Sequence, residues 1–351
     1  MPTTIREVAE AAGVSITTVS HVLSGNGRIA EATRRRVEQA VADLAYRPNV
    51  HAQQLVTRRS RTLAVQVACF TGDTSSSALI PRSDYFLDLL NGAAAAAAER
   101  GYALILTPPN ADAATVEEFA VDGVIIVDPR GDEPLFTERW HHPRRMVTTG
   151  RPTLVEPVVA VVDNDHREAA GAMLDHLAEQ GYRRPALMIT STARSYTSDM
   201  LEAYTAWTAA RGVEPVVVRV DEPPTENAAA EALGELLDRD PRPDAVYASS
   251  EDLALGVLHE AQRRGLSVPE ELGVCSAVDS SVLQLTSPQV TGTFLNPRDI
   301  GRAAAGALLD LVEDTRAAPH DVAVPVELCA RGSTLRQPAD QTALSRGVSN
   351  R

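Results

Sequence analysis

The sequence predicts an amino-terminal all-α helix-turn-helix headpiece followed by an α/β core of two doubly wound subdomains. Three observations carry that expectation. Two short helical stretches near the start are separated by a turn containing glycine. From Thr62 onward, continuous Val/Ile/Leu runs alternate with helical segments, the pattern of parallel strands covered on both faces. Charge divides at the same place: residues 1–61 hold nine arginines against five acids, a net of +4, whereas residues 62–351 hold 24 against 42, a net of −18.

Each headpiece element follows from local signals. Residues 5–12 read as a short helix with apolar positions at Ile5, Val8, Ala9 and Ala12, stopped by Gly13 at the expected C-cap. Ser15 caps a second helix whose apolar side is Ile16, Val19, Val22 and Leu23, ended by Ser24, Gly25, Asn26 and Gly27. A third, from about Glu31 to Ala45, buries Val37, Ala40, Val41 and Leu44. Pro48 breaks it, because proline disfavours the helical conformation in the residue before it. Residues 50–57 form a marginal helix, too short to hold its shape alone in water, and Arg58, Arg59, Ser60 and Arg61 close the segment.

In the core, strands are expected at 63–70, 102–107, 123–127, 145–148, 158–162, 185–190, 213–220, 245–248, 272–277 and 291–295. Helices are expected at 86–100, 168–180, 201–211, 225–238, 253–264 and 298–313. About ten strands suit two sheets better than one. The six alanines 93–98 read as a strong helix former packed closely on a sheet.

Composition narrows the function. A chain of 351 residues with 44% hydrophobic content folds into two or three compact units rather than staying disordered. Acids interrupt the first residues, so no signal peptide is expected, and the apolar stretch 89–98 is too short to cross a bilayer. Cys69, Cys275 and Cys329 stand singly in apolar runs, which reads as buried thiols of a reducing cytoplasm and not as a metal site. Every one of the 33 basic residues is arginine, a side chain suited to phosphate contacts. No metal-ligand spacing, nucleophile elbow or glycine-rich phosphate loop occurs, so no catalytic residue, cofactor or enzyme activity is expected.

The run from Ile5-Arg6-Glu7-Val8-Ala9 through Ala12-Gly13-Val14-Ser15 and Thr17-Thr18-Val19-Ser20-His21-Val22-Leu23, with Leu44-Ala45-Tyr46-Arg47-Pro48-Asn49 and Ala52-Gln53-Gln54-Leu55, resembles the headpiece and hinge of the LacI/GalR family of bacterial repressors. Gly181-Tyr182-Arg183-Arg184-Pro185, Asp252-Leu253-Ala254-Leu255-Gly256 and Ala330-Arg331-Gly332-Ser333-Thr334 resemble the family core, so the likeness spans residues 1 to about 334. It implies a cytoplasmic homodimer that binds double-stranded operator DNA. It also implies a core like a periplasmic sugar-binding protein, in which two subdomains joined by three crossovers clasp a small carbohydrate-like effector. The expected organisation is a headpiece at 1–48, a hinge at 49–61, a core at 62–334 and a polar tail at 335–351. Within the core, one subdomain takes about 62–157 and 291–323, the other about 158–290 and 324–334. The tail has no leucine heptad, which favours dimers over tetramers.

For DNA, the second helix offers Thr17, Thr18 and His21 to base edges, with Ser15 and Ser20 on phosphates. A neutral His21, where the family often has arginine, offers weaker guanine recognition than a bidentate guanidinium. The resemblance implies backbone contacts from Thr4, Asn26, Arg28, Thr33 and Tyr46. It also implies a minor-groove wedge at Leu55, flanked by Asn49, Ala52 and Gln53.

For the effector, the carboxyl ends of strands are the places to read. They supply Tyr85 and Phe86, matching an aromatic pair of the family, together with Asp165, Tyr196, Ser250 and Asp279. Such carboxylates and hydroxyls either meet a ligand or cap helices. Met200 stands where the family carries a sugar-clamping arginine, so bidentate clamping of neighbouring hydroxyls is lost there. The expected function is a sequence-specific repressor released from its operator by a sugar-like effector. Binding promoted by a corepressor, and architectural DNA binding without sequence preference, are the alternatives.

Overall fold

A computed structural model describes residues 3–24, 29–46, 59–68, 83–109, 111–137, 145–155, 160–192, 194–314, 318 and 320–336. The chain divides into two compact units, Met1–Ser60 and Arg61–Arg351.

The first unit holds α1 (Ile5–Ala12), α2 (Ile16–Ser24) and α3 (Glu31–Asp43). Thr4 and Glu7 form a capping box at the start of α1: the Thr4 amide donates to Glu7 Oε2 at 2.7 Å and the Glu7 amide donates to Thr4 Oγ1 at 3.4 Å. Gly13 ends α1 in the left-handed region at φ 63°, where a side chain would be strained. Ser15 then opens α2, its Oγ accepting from the Thr18 amide at 3.1 Å. Val8, Ala9, Ala12, Val19, Val22, Val37 and Ala40 meet in one small core. Ile16, expected on the buried side, is 43% exposed, which leaves the inward face of α2 to Val19, Val22 and Leu23.

The second unit is built on two six-stranded sheets. The first comprises β1 (Thr62–Val67), β2 (Ala103–Leu106), β3 (Gly123–Val127), β4 (Met146–Thr149), β5 (Ala160–Asn164) and β11 (Val322–Val324), in the order β11-β5-β4-β3-β1-β2 and all parallel. The second comprises β6 (Pro185–Thr190), β7 (Val217–Val220), β8 (Ala245–Ala248), β9 (Gly273–Ser276), β10 (Thr291–Phe294) and β12 (Glu327–Cys329), in the order β12-β10-β9-β8-β6-β7. Only the β10–β12 pair in it is antiparallel. Interior strands such as β3, β8 and β9 are buried along their whole length, whereas the edge strands β2 and β7 are not.

Helices cover both faces of each sheet, which is why the strands are continuous in apolar residues. On the first sheet, α4 (Asp84–Glu99) and α12 (Pro297–Glu313) pack on one face, with α5 (Ala113–Glu118) and α6 (Pro134–Thr137) on the other. On the second, α7 (His166–Glu179) and α8 (Ser195–Arg211) lie opposite α9 (Glu226–Leu237) and α10 (Glu251–Arg263). A short α11 (Ser281–Gln284) adds Leu283 to the α9–α10 side. The alanine run lies in α4 and buries Ala93, Ala96 and Ala97. Two glycines bring α4 and α12 into backbone contact: a Cβ on Gly92 would stand 1.9 Å from the Arg298 carbonyl oxygen, and one on Gly301 1.9 Å from that of Leu89.

The chain crosses between the sheets three times, after β5, after β10 and after β11. This moves the expected subdomain boundaries. β5, assigned from sequence to the second subdomain with 158–290, pairs with β4 in the first sheet; β10, assigned to the first with 291–323, pairs with β9 in the second. A fully buried parallel strand has the same apolar signature in either sheet, and only its pairing partner tells them apart. The strand expected at 213–220 pairs only from Val217, because Val213 still closes α8 through a bond to the Thr208 carbonyl and Pro215 has no N–H to give. α8 begins at Ser195, six residues earlier than expected, since Ser195, Thr197 and Ser198 are weak helix formers. β11, β12, α5, α6 and α11 are three to six residues long, too short to show a period.

Candidate functional site

On α2, Thr17, Ser20 and His21 are exposed at spacings of three and four, and therefore share one face of the helix. Ser15 and Thr18 are tied to each other by a 2.9 Å hydroxyl contact as well as by the cap bond. Thr4 is likewise engaged in its capping box. Thr33 is half-buried at the start of α3 with its amide on the Ala30 carbonyl, and Tyr46 packs against the headpiece core. Asn26, Arg28, Asn49, Ala52, Gln53 and Leu55 lie outside the described residues.

In the second unit, the carboxyl ends of the two sheets meet. Arg194, the residue before α8 and only 1% exposed, donates through Nη1 to the Asp128 carbonyl oxygen just past β3. Arg151, just past β4, pairs with Asp199 on α8 at 2.5 Å and with Asp163 at 3.4 Å. At another edge, Asp84 at the start of α4 accepts from the Ser281 amide at the start of α11, at 3.1 Å. A Cβ on Gly150, already left-handed at φ 83°, would stand 3.2 Å from Asp128 Oδ1 and 3.4 Å from Ser195 Oγ, so glycine there permits the close approach.

The junction is strongly polarised. Burial pushes the Asp128 carboxyl up to about 6, aided by Asp163 and opposed by Arg194 and His166. Burial, with Asp128 and Asp163 nearby, lifts the Tyr85 hydroxyl well above its ordinary value. Tyr196 moves the same way, again by burial first and Asp128 second. His166 Nε2 lies 3.2 Å from Asp163 Oδ1, and its ring centroid 6.0 Å from that of Tyr196. Around this cluster, the buried hydroxyl oxygens of Thr149, Thr190, Ser249, Ser250 and Thr293 accept and donate no hydrogen bond among the described residues. Both carboxylate oxygens of Glu222, two residues past β7, are in the same condition. Buried polar groups are normally satisfied, so this row of unsatisfied hydroxyl and carboxylate oxygens at strand ends sets the junction apart chemically from the rest of the core.

Of the residues expected to touch an effector, Tyr85, Tyr196 and Ser250 belong to this junction. Ser250 is the N-cap residue of α10 yet makes no cap bond. Phe86, 5.2 Å from Tyr85 in an edge-to-face arrangement, is instead 8% exposed in the core of the first sheet. Met200 is 1% exposed among the side chains between α7, α8 and the second sheet. Asp165 is exposed and caps α7, accepting from the Glu168 amide at 2.9 Å. Asp279 grips Arg331 with both oxygens at 2.7 Å. These four side chains are occupied by packing, capping or an ion pair.

The sequence reading missed Asp128, Asp163, Arg194 and Glu222. All four stand at the end of a strand or within four residues beyond one, so the positional rule that put Ser250 forward also reaches them. A separate cavity of about 600 Å³ lies at the amino ends of β6 and β8, lined by Arg183, Arg184, Trp207 and Arg239 among others, and is remote from the junction. Arg211 stacks on Trp207 there at 4.2 Å.

Residues 4–49 match the family model described as bacterial regulatory proteins, lacI family, and residues 174–334 match a periplasmic binding protein-like domain. Among curated relatives, the HTH-type transcriptional regulator CelR of Thermobifida fusca is 29% identical over 338 residues, covering 94% of this chain and 98% of its own length. The HTH-type transcriptional repressor CytR of Escherichia coli (strain K12) is 29% identical over 348 residues, 95% of this chain and 97% of its own. Among solved structures, a complex of CelR with cellobiose superposes with a TM-score of 0.68 at 28% identity, covering 94% of this chain and 99% of that one. The lac repressor dimer bound to operator superposes with a TM-score of 0.74 at 20% identity over 96% and 100%, a likeness of fold. With a lacI-type headpiece, a periplasmic-binding-protein-like core and relatives matched over nearly their whole length, the chain has the domain organisation of the lacI family of bacterial regulatory proteins and is a DNA-binding transcriptional regulator.

Proposed function

We propose that the protein is a homodimeric, cytoplasmic repressor whose inter-sheet cleft takes a sugar-like effector that releases operator DNA. The observation that carries this reading is the row of buried, unsatisfied hydroxyl and carboxylate oxygens where the strand ends of the two sheets meet. Hydroxyl-rich ligands supply donors and acceptors in that density, and CelR, 28% identical here, is seen in complex with cellobiose. Tyr85 and Tyr196 flank the site and offer aromatic surface to a sugar ring.

Ligand binding across a junction already bridged by Arg194, Arg151 and Asp84 changes the balance between two arrangements of the sheets, a population shift that operator binding reads out. On DNA, Thr17, Thr18 and His21 present α2 to base edges in the major groove. Ser15, Ser20, Thr4, Asn26, Arg28, Thr33 and Tyr46 fix it on the backbone, and Asn49, Ala52, Gln53 and the wedge Leu55 enter the minor groove. Dimerisation is supported by Leu87, 52% exposed on α4, and by Val282 and Leu285, 44% and 85% exposed around α11. These elements meet at the Asp84–Ser281 bond and so bring exposed apolar side chains together. Among the described residues no helix is long and apolar enough to cross a membrane.

The test is a gel shift on a duplex recovered by in vitro selection, beside a scrambled duplex of equal length. Leu55→Ala weakens binding to the selected duplex at least tenfold while leaving the scrambled one nearly unchanged. Equal loss on both removes the wedge from the mechanism.

A further inference from the structure

Glu222 stands out among the unsatisfied groups because it is charged. Its side chain is 1% exposed, and neither oxygen accepts a hydrogen bond among the described residues. The nearest cation is Arg194, whose Nε lies 3.9 Å from Oε1, beyond hydrogen-bond range. Arg194 is itself turned towards the Asp128 carbonyl oxygen on the first sheet. A carboxylate buried without hydrogen bonds is costly, and the cost is relieved when donors are brought to it. An ionised carboxylate is acceptor-only, with two oxygens and room for about four donors. A pair of adjacent hydroxyls, or a hydroxyl beside an ammonium group, matches that geometry. Thr190, at the end of the neighbouring strand, holds an unsatisfied hydroxyl that extends the same acceptor and donor row.

We infer that Glu222, set against Arg194, is a specificity-determining residue of the cleft, which takes neutral or amino-bearing polyols through a vicinal donor pair and refuses sugar phosphates and sugar acids. The inference rests on the reading of the cleft as the effector site. Anionic ligands are refused because they would bring a further negative charge into a buried junction that already holds Glu222, Asp128 and Asp163. Arg151 and Arg194, the nearby cations, are engaged by Asp199, Asp163 and the Asp128 carbonyl. Like-charge approach in a poorly solvated site is far stronger than in water.

The experiment is a thermal-shift screen followed by calorimetric titration of the full chain, using neutral and amino sugars (glucose, cellobiose, glucosamine) against glucose 6-phosphate and gluconate. Glu222→Gln and Thr190→Val are titrated alongside, with their unliganded melting transitions as the record of folding. The expected result is binding by a neutral or amino sugar, no binding by the anionic pair, and affinity at least about tenfold weaker in Glu222→Gln, the size of one lost charge-assisted hydrogen bond. Binding of glucose 6-phosphate or gluconate by the wild type overturns the selectivity while leaving the cleft as the site. Equal affinity in Glu222→Gln with a loss in Thr190→Val overturns the role of Glu222 alone. Binding that neither variant alters, or no binding by any of the five, overturns the reading of the cleft and this inference with it.

Discussion

Asp128 holds a left-handed backbone at φ 50° without being glycine, and its carboxyl is pushed up to about 6 by burial between the two sheets. Such conformations persist where the surroundings over-determine them, often at functional sites. The pH consequence has a definite sign. In the unfolded chain the group titrates near 3.8, in the folded chain near 6, so the folded state holds the extra proton between those values. Stability contributed by this group is therefore present at low pH and falls as pH rises across that window. Asp128→Asn should flatten the dependence of melting temperature on pH between about 4 and 6 and raise it at pH 7.5; an unchanged slope would show that the carboxyl is not strained. At this scale the sequence was informative about where a side chain stands: Tyr85, Tyr196 and Ser250, put forward by chain position alone, do lie at the junction of strand ends. Asp165 was legible in another sense, since an acid followed three residues later by Glu168 is a helix-start signature. Asp279 was not, because its partner Arg331 lies 52 residues away and nothing in local spacing announces it.

The elements behave as their contacts require. Asp279 is 3% exposed at the side chain, so removing Arg331 leaves a buried charge without its partner. Arg331→Ala should cost about 3–5 kcal/mol in urea unfolding, and the double change Asp279→Asn with Arg331→Met should recover much of it. Equal destabilisation by the single and double variants would refute the pairing. The α4–α12 contact gives a sharper expectation. A methyl on Gly301 meets backbone at 1.9 Å, which no side-chain rearrangement relieves, so Gly301→Ala should destabilise by about 3 kcal/mol or more, whereas Gly306→Ala on the same helix, with nothing within 4 Å, should be neutral or slightly stabilising. Strands at 123–127, 185–190 and 245–248 agree with the sequence to the residue, because buried apolar runs bounded by turns are unambiguous. The short elements β11, β12, α5, α6 and α11 are not buried apolar runs of this kind and carry no such signal.

For the whole molecule, the charge division read from composition follows the observed division into units, with the basic excess in residues 1–61 and the acidic excess in the core. In the proposed homodimer, two amino-terminal segments of net +4 meet the polyanion while residues 62–351, net −18 in each chain, are repelled by it, which predicts operator affinity that falls by about a thousandfold or more between 50 and 200 mM salt. A flat dependence of affinity on salt would mean that phosphate contacts contribute little. The assignment of strands to subdomains was the part of the architecture that the sequence hid, since pairing across a crossover is not local. The most direct measurement is fluorescence anisotropy of a selected operator duplex, with and without a saturating neutral or amino sugar that stabilises the protein. A shift in Kd of at least tenfold, abolished in Glu222→Gln, is the expected result; an operator Kd that the bound sugar leaves unchanged would contradict control of DNA binding from the cleft.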